Sequence, residues 1–221
     1  MARVFSPPGV STHRMETHRR NVLILLYLVL LILIILLSLF FDKLYPLGII
    51  PVSFVLAFVI YYILLFSKRI KDAKIGANAE KYLSDFLDNS LPATYWIIND
   101  LKLKYGNIDC LVIDTIKNCI FLIEVKASRR FNSAKVAKWV KQCNLSEKLL
   151  KHLISKILSQ DVPIFKIISL PFLQNQGYFY HFEDSDVRLL GNQKLIEFIQ
   201  SVPMNKTNID WYKFVDDICN K

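Results

Sequence analysis

The stretch that decides the fold is residues 107–126, which read NIDCLVIDTIKNCIFLIEVK. Two apolar runs rich in β-branched residues, 108–113 and 119–125, flank the polar segment 114–118. This pattern predicts two strands joined by a turn. Because both runs are apolar on both faces, we expect both strands to lie in the middle of a sheet that is covered on each side.

Three charged residues interrupt this apolar background: Asp109, Glu124 and Lys126. Side chains alternate along a strand, so Glu124 and Lys126 share a face. If Asp114 pairs with Cys119 across the turn, the register places Asp109 directly opposite Glu124, with Cβ atoms about 5 Å apart. Two carboxylates at that spacing repel each other, and burial increases the repulsion. A divalent cation such as Mg²⁺ between them would turn the repulsion into a binding site, with Lys126 next to the bound phosphate or water. The alternative is that Glu124 and Lys126 form an ordinary surface ion pair.

The pattern Asp109…Glu124-x-Lys126 on a hairpin resembles the PD-(D/E)xK motif of restriction-endonuclease-like nucleases. The wider stretch from Gly76 to about Leu150 resembles the nuclease-related domain known as NERD. The matching positions are Gly76 and Glu80 on a first helix, 108–113 as an I-D-x-L-V-I strand, 123–126 as an I-E-V-K strand, and Gln142, Asn144, Leu145, Leu149 and Leu150 on a later helix. In two departures, Ile108 replaces the Pro of the signature and Ala79 replaces a Gly that often precedes the helix Glu.

The resemblance implies an α/β fold of the restriction-endonuclease-like type, with a mixed central sheet flanked by helices. It also implies a metal-dependent phosphodiesterase that acts on nucleic acid, on DNA rather than RNA. The implied catalytic residues are Glu80, Asp109, Glu124, Lys126 and Gln142. Asp109 and Glu124 would hold Mg²⁺ or Mn²⁺, Glu80 would support the metal or a water, and Gln142 would contact substrate or brace the site.

A strongly basic segment follows the hairpin. From position 126 to 156 the chain has nine Lys or Arg residues and a single acid, Glu147. Apolar spacing predicts a helix over residues 133–158 with lysines along one face. A basic helix beside two carboxylates suits a phosphodiester substrate, and we expect Arg129, Arg130 and Lys138 to bind it. For the outer lysines, a solubilising face or attraction to anionic lipid is an equal alternative.

The 221-residue chain is too apolar for a soluble domain alone, with 53% hydrophobic residues and a mean hydropathy of +0.31. The excess lies in two uncharged runs, residues 22–41 and 47–66, each of which matches the roughly 20 residues that span a bilayer. The short linker 42–46 predicts that they form a transmembrane helical hairpin in the lipid bilayer. Basic residues precede the first run and follow the second, so the positive-inside rule places both termini in the cytoplasm.

The predicted organisation has four parts. A flexible cytoplasmic tail covers residues 1–20, the transmembrane hairpin 21–66, the nuclease-like domain 75–202 and a C-terminal helical extension 203–221. The four cysteines fit a reducing compartment and lack the C-x-x-C spacing of zinc sites. The chain has no P-loop and no nucleophile elbow, and we expect no organic cofactor.

The predicted partners are nucleic acid, the bilayer and, as a further candidate, a second copy of the chain. Two other functions stay open at this point. One is a nuclease-fold module that binds nucleic acid or a protein at the membrane without cutting. The other is a membrane scaffold whose carboxylate pair holds a structural ion.

Overall fold

The computed structural model describes residues 1–44, 49–103, 105–128, 130–173, 177–182, 185–205 and 207–219. The chain divides into two compact units. One unit combines Met1–Val10 with Gly76–Lys221, and the other is Ser11–Ile75. The sheet and the predicted site belong to the first unit, and the most apolar sequence belongs to the second.

Two long helices follow the N-terminus, α1 (Val10–Leu44) and α2 (Ile49–Ser90). Both are long and apolar enough to cross a membrane, with mean hydropathies of 3.5 and 1.9 in their most apolar windows. No residue of the first window is buried, and 11% of the second window is buried. The helices occur where the hairpin is predicted. Residues 45–48, which include part of the predicted linker and the start of the second run, lie outside the described residues.

Helix α2 continues through the basic segment 67–74 without a break. The sequence analysis starts the nuclease-like domain at residue 75, but the helix that contains Glu80 already begins at Ile49. The physical reason is that Lys, Arg and Ala favour helix and that Gly76 alone is too weak a breaker to end it. The helix ends at Ser90, two residues before Pro92, as the proline predicts.

The first unit is built on one mixed sheet. Its described strands are β1 (Arg3–Val4), β2 (Tyr95–Leu103), β3 (Gly106–Asp114), β4 (Cys119–Val125), β5 (Ile164–Ser169), β6 (Gly177–Phe182) and β7 (Ser185–Leu190). They lie in the order β1-β2-β3-β4-β5-β7-β6. Strands β2, β3 and β4 are antiparallel neighbours, whereas β5 is parallel to both β4 and β7. The predicted α/β fold with a mixed sheet flanked by helices is confirmed.

Helices cover both faces of this sheet. Helix α3 (Ser133–Leu158) connects the parallel strands β4 and β5 and packs on one face together with α5 (Trp211–Cys219). The C-terminal part of α2 packs on the other face with α4 (Asn192–Ser201). All seven residues of β4 are buried, as expected for a central strand.

The first residues of the chain complete the edge of the sheet. Arg3 and Val4 pair in parallel with Trp96 and Ile97 of β2, and the N–H of Phe5 donates to the Ile97 carbonyl at 2.9 Å. A flexible tail over residues 1–20 is therefore wrong for residues 1–10, and residues 11–20 are helical in α1. The physical reason is that β2 would otherwise be an edge strand with unpaired backbone groups.

A buried polar network fastens this N-terminal segment. The side chain of Asn99 is 2% exposed, and its Nδ2 donates to the Ser6 carbonyl at 2.9 Å and to Ser84 Oγ at 3.0 Å. The Ser6 hydroxyl donates in return to the Asn99 carbonyl. One asparagine thus links the N-terminus, strand β2 and helix α2.

The C-terminus also belongs to the domain. Trp211, Phe214 and Val215 of α5 are buried in the same core as α3. The predicted boundary at residue 202 is therefore corrected, because residues 211–219 supply core side chains. Phe214 and Val215 follow Trp211 by three and four residues, so one side of the helix is apolar and is removed from water by packing on the domain.

Replacing Asn99 with Ala should destabilise the domain by about 2 to 3 kcal/mol, because Ser84 and the Ser6 carbonyl lose buried hydrogen bonds. Urea unfolding of the full chain in detergent, followed by tryptophan fluorescence, measures this change. Asn89→Ala is the matched control, since Asn89 is exposed and donates to the Asp85 carbonyl of its own helix. Equal losses in the two variants would contradict the role given to Asn99.

Candidate active site

The hairpin β3–β4 has the predicted register. Asp114 pairs with Cys119, and the ladder continues to Cys110 opposite Ile123. The turn is fixed by the Asp114 carboxylate, whose Oδ1 accepts the N–H groups of the two residues at positions 116 and 117 at 3.0 and 2.9 Å. One further step in this register brings Asp109 opposite Glu124.

Asp109 lies where the sheet pairing is interrupted. The β2–β3 ladder skips the pair Asp100 and Asp109, and Asp100 has a left-handed φ of 51°. The β3–β4 ladder ends one residue earlier, at Cys110. Instead of a further backbone pair of this ladder, Oδ2 of Asp109 accepts the backbone N–H of Val125 at 2.7 Å. A side-chain hydrogen bond therefore holds this carboxylate against β4.

Glu124 is the most buried member of the site, with a side chain 1% exposed. Its Oε1 lies 2.6 Å from Nζ of Lys126 and also accepts a hydrogen bond from Nε2 of Gln142. Lys126 Nζ donates in turn to Gln142 Oε1 at 3.2 Å. Oε2 of Glu124 is buried and accepts no hydrogen bond from an N–H or hydroxyl donor among the described residues. The structure thus brings three of the predicted residues together and leaves one carboxylate oxygen unsatisfied.

The two carboxyl groups disfavour each other's charge. Burial, followed by the charge of Asp109, raises the pKa of Glu124 to about 8, although Lys126 opposes the shift. Burial also raises the pKa of Asp109, against the effects of Lys126 and the Val125 N–H. The nearby charge of Asp100 adds to the rise. Both shifts disfavour negative charge on the pair, which marks it as a place where positive charge is favoured.

Glu80 approaches the hairpin from helix α2. The pKa of the Cys110 thiol is raised by burial and then by the charges of Asp109 and Glu80, so both carboxylates lie near this thiol. On its other side Glu80 contacts the N-terminal segment. A Cβ placed on Gly9, whose φ is +71°, would lie 3.4 Å from Oε2 of Glu80. The structure therefore places Glu80 beside the residue that follows Asp109.

Two residues near the carboxylate pair are not predicted from the sequence. Asp100 adds negative charge next to Asp109, and Cys143 of α3 is buried close to Glu124, which contributes after burial to the raised pKa of its thiol. The sequence does contain a signal for Asp100, because Asn99 and Asp100 follow directly on the apolar run 95–98 within the same strand. Cys143 gives no such signal, since it resembles any small core residue of a helix.

The predicted substrate residues lie on the surface. Arg130 and Lys138 are exposed, and Arg129 lies outside the described residues. Lys138 borders a shallow groove on α3. The groove is lined by Lys138, Lys141, Gln142, Asn144, Leu145 and Lys148. Gln142 thus belongs both to this groove and to the carboxylate site.

The described part of the chain contains no group of three or more His, Cys, Asp or Glu side chains placed to hold a metal ion. Two carboxylates, those of Asp109 and Glu124, lie together at this site. Mg²⁺ is commonly bound by one or two carboxylates and completes its coordination with water and substrate phosphates. The pair is consistent with that mode of binding.

Comparison with known proteins identifies one domain. Residues 75–178 match the family model of NERD, the nuclease-related domain. No curated protein and no solved structure matches the chain. The matched region includes the helix of Glu80, the hairpin with the carboxylate pair, and helix α3 with Gln142. Residues 75–178 of this chain are therefore a nuclease-related domain of the NERD family.

Proposed function

We propose that this protein is a membrane-anchored, metal-dependent nuclease that hydrolyses phosphodiester bonds in nucleic acid, with DNA preferred to RNA. One observation carries the proposal. Asp109 and Glu124 face each other at the end of a hairpin in a nuclease-related domain, and Lys126 borders both the pair and solvent. An acidic pair with an adjacent ammonium suits a metal-assisted attack on a phosphate diester, because the acids can hold the metal and the ammonium can stabilise charge on the phosphate.

The residues present fit Mg²⁺ or Mn²⁺. Oε2 of Glu124 is a buried acceptor without an N–H or hydroxyl donor among the described residues, and a hard cation prefers such oxygen ligands. The cation would be held by Asp109 and Glu124, while Glu80 of helix α2, which lies beside Cys110, would orient a water. When bound, it would supply positive charge to the phosphate oxygens and to the attacking water.

Lys126 and Gln142 have different tasks in this proposal. The Lys126 side chain is 19% exposed, so its ammonium can meet a substrate phosphate while it stays within 2.6 Å of Glu124. There it stabilises the negative charge that develops on the phosphate, or orients the attacking water. Gln142 bonds to both Glu124 and Lys126, and so it braces their relative position. Arg130 and Lys138 are exposed cations that would contact the flanking phosphates.

A second function is a nuclease-fold module that binds nucleic acid without cutting it. It is favoured by the small ligand set, since the described residues offer a cation only two closely apposed carboxylates. Lys126 and Gln142 also both occupy Oε1 of Glu124. This arrangement would neutralise the glutamate without a metal ion.

The proposal of a membrane anchor rests on helices α1 and α2. Their most apolar windows are almost free of burial, unlike the core helices of a soluble protein. Basic residues within these helices flank the two apolar runs, namely Arg14, Arg19, Arg20, Lys68, Arg69, Lys71 and Lys74. The positive-inside rule then places both termini and the nuclease-related domain in the cytoplasm.

The detergent-solubilised chain should cut DNA, and RNA more slowly, only when Mg²⁺ or Mn²⁺ is present. Lys126→Ala should lower the cutting rate by about 100-fold or more, the usual effect of removing one charge-stabilising donor. Lys213→Ala, which removes an exposed lysine of α5, is the control and should cut normally. Binding of nucleic acid without metal-dependent cutting would instead identify the non-cutting module.

The melting temperature of the wild-type protein should rise when EDTA is replaced by Mg²⁺, whereas that of Glu124→Gln should not. The variant keeps the side-chain shape but removes a ligand charge, so its fold should survive and gain stability in EDTA through loss of the repulsion with Asp109. Glu147→Gln is the matched control, because Glu147 pairs with Lys151 and Lys166 rather than with the carboxylate pair, and it should keep the metal response. An equal shift in wild type and Glu124→Gln, or no shift in either, would rule out the metal site.

Metal-free stability should fall as the pH rises from about 5 to about 8. Glu124 has a folded-state pKa of about 8 against an ordinary value of 4.5, so over this range the folded state binds more protons than the unfolded state. Glu124→Gln should flatten this decline, as judged from urea unfolding in EDTA at each pH. A decline of unchanged slope in the variant would assign the pH dependence to other groups.

A cysteine placed at Lys43 should react with an impermeant maleimide added to intact cells, whereas Cys219 should react only after permeabilisation. The reason is that Lys43, at the C-terminal end of α1, lies outside if both termini are cytoplasmic. Cys219 is the exposed cysteine among the described residues, so it serves as the internal reference. The reverse labelling pattern would overturn the proposed orientation.

A further inference from the structure

The outer face of helix α3 carries lysines that lack acidic partners. The helix contains Lys135, Lys138, Lys141, Lys148, Lys151 and Lys156, and its one acid is Glu147. Glu147 is already shared between Lys151 and Lys166, at 2.9 Å from each. The other five lysines of α3 form no salt bridge with any acid in the described part of the chain. This face therefore attracts an anionic partner.

Three of these lysines border a concave surface with an apolar centre. Lys138, Lys141 and Lys148 line the groove together with Leu145, whose side chain is 54% exposed. Leu145 follows Lys141 by four residues and precedes Lys148 by three, so the three side chains share one helix face. Leu145 adds an apolar contact surface between the lysines, which suits a partner with both phosphates and an apolar face.

The groove is continuous with the carboxylate pair through Gln142. This residue lines the groove and also contacts both Glu124 and Lys126. A ligand in the groove therefore reaches the side chain that braces the site. Positions 138 to 148 extend about 15 Å along the helix axis, the length of about four stacked nucleotides at 3.4 Å each.

We propose that this groove binds a single-stranded segment of the nucleic acid that leads to Asp109 and Glu124. Lys138, Lys141 and Lys148 contact its phosphates, and Leu145 contacts the face of an unpaired base. The inference rests on the proposed function and specifies its substrate. A single strand is favoured because its bases can turn toward an apolar side chain, whereas a duplex keeps base faces stacked and presents phosphates.

The lysines are tested by fluorescence anisotropy of a labelled oligonucleotide in EDTA, which excludes cutting, with the full chain in detergent. Lys141→Gln with Lys148→Gln should reduce the slope of log K against log salt by about 1.4 for a single strand, because each lost phosphate contact contributes about 0.7. The control is Lys194→Gln with Lys213→Gln, which removes the same charge from helices α4 and α5. Equal slopes for the two double variants would overturn the proposal.

Leu145 is tested by comparing two ligands. Leu145→Ala should weaken binding of a single-stranded oligonucleotide several-fold and leave binding of a duplex of the same sequence unchanged. The lysine contacts remain in this variant, so the loss reports the apolar contact alone. Equal effects on both ligands, or no effect on either, would contradict a single strand in the groove.

An anionic lipid surface is the competing occupant. Leu145→Cys in a Cys219→Ser background can carry an environment-sensitive dye, with the full chain in nanodiscs of phosphatidylcholine or phosphatidylglycerol. The emission should respond to a single-stranded oligonucleotide in both lipids. Emission that changes with lipid charge and not with the oligonucleotide would assign the groove to the membrane surface.

Failure of this inference is separable from failure of the proposed function. Binding is measured without metal. A protein that binds a single strand through the groove but cuts nothing would therefore support the groove proposal and contradict the nuclease proposal. The double variant Lys141→Gln with Lys148→Gln is also compared with wild type in cutting. If the variant has the same KM for a single-stranded substrate as the wild type, the groove proposal is wrong, whereas the proposal of metal-dependent cutting still holds.

Discussion

The repulsion between the carboxylates of Asp109 and Glu124 is the constraint on which the rest of the structure depends. Two acids do not stay together in a buried place unless the backbone holds them there. The turn at Asp114 fixes the register of the hairpin, and the Val125 N–H fixes Asp109. Burial of the whole of β4 prevents the pair from relaxing toward water. The surrounding fold therefore supplies the stability that the pair removes.

Parallel pairing of β4 with β5 places helix α3, and with it Gln142, beside the carboxylate pair. Parallel neighbours need a long crossover, and here helix α3 provides it. Asn132 begins the helix by accepting the N–H of Lys135 at 3.0 Å. The helix then passes over the strand that carries Glu124 and presents Gln142 to it. The same connection that closes the fold thus supplies the polar group that orders Glu124 and Lys126.

The parts of the site that depend on local patterns are predictable from the sequence. Alternation along the strands and the polar turn predict the register, and the spacing of apolar residues predicts α3 from Ser133 to Leu158. The pairing of Arg3 with β2 is not predictable in this way, because a two-residue strand has no periodicity. Asp100 is missed because its approach to Asp109 depends on a local break in the β2–β3 ladder. The continuity of α2 is missed because a basic segment after an apolar run resembles a boundary.

The N-terminal strand β1 limits how the chain can cross a bilayer. Met1–Val10 and Gly76–Lys221 form one compact unit, although the two apolar helices separate them in sequence. The domain is thus discontinuous, with the helical pair as an insertion between its first strand and the rest. For a chain anchored by α1 and α2, both ends of the insertion must return to the same compartment, since a sheet cannot form across a bilayer. Such a chain would cross the bilayer an even number of times, because its first strand and the rest of the sheet lie in one compartment. This argument does not depend on the distribution of charge.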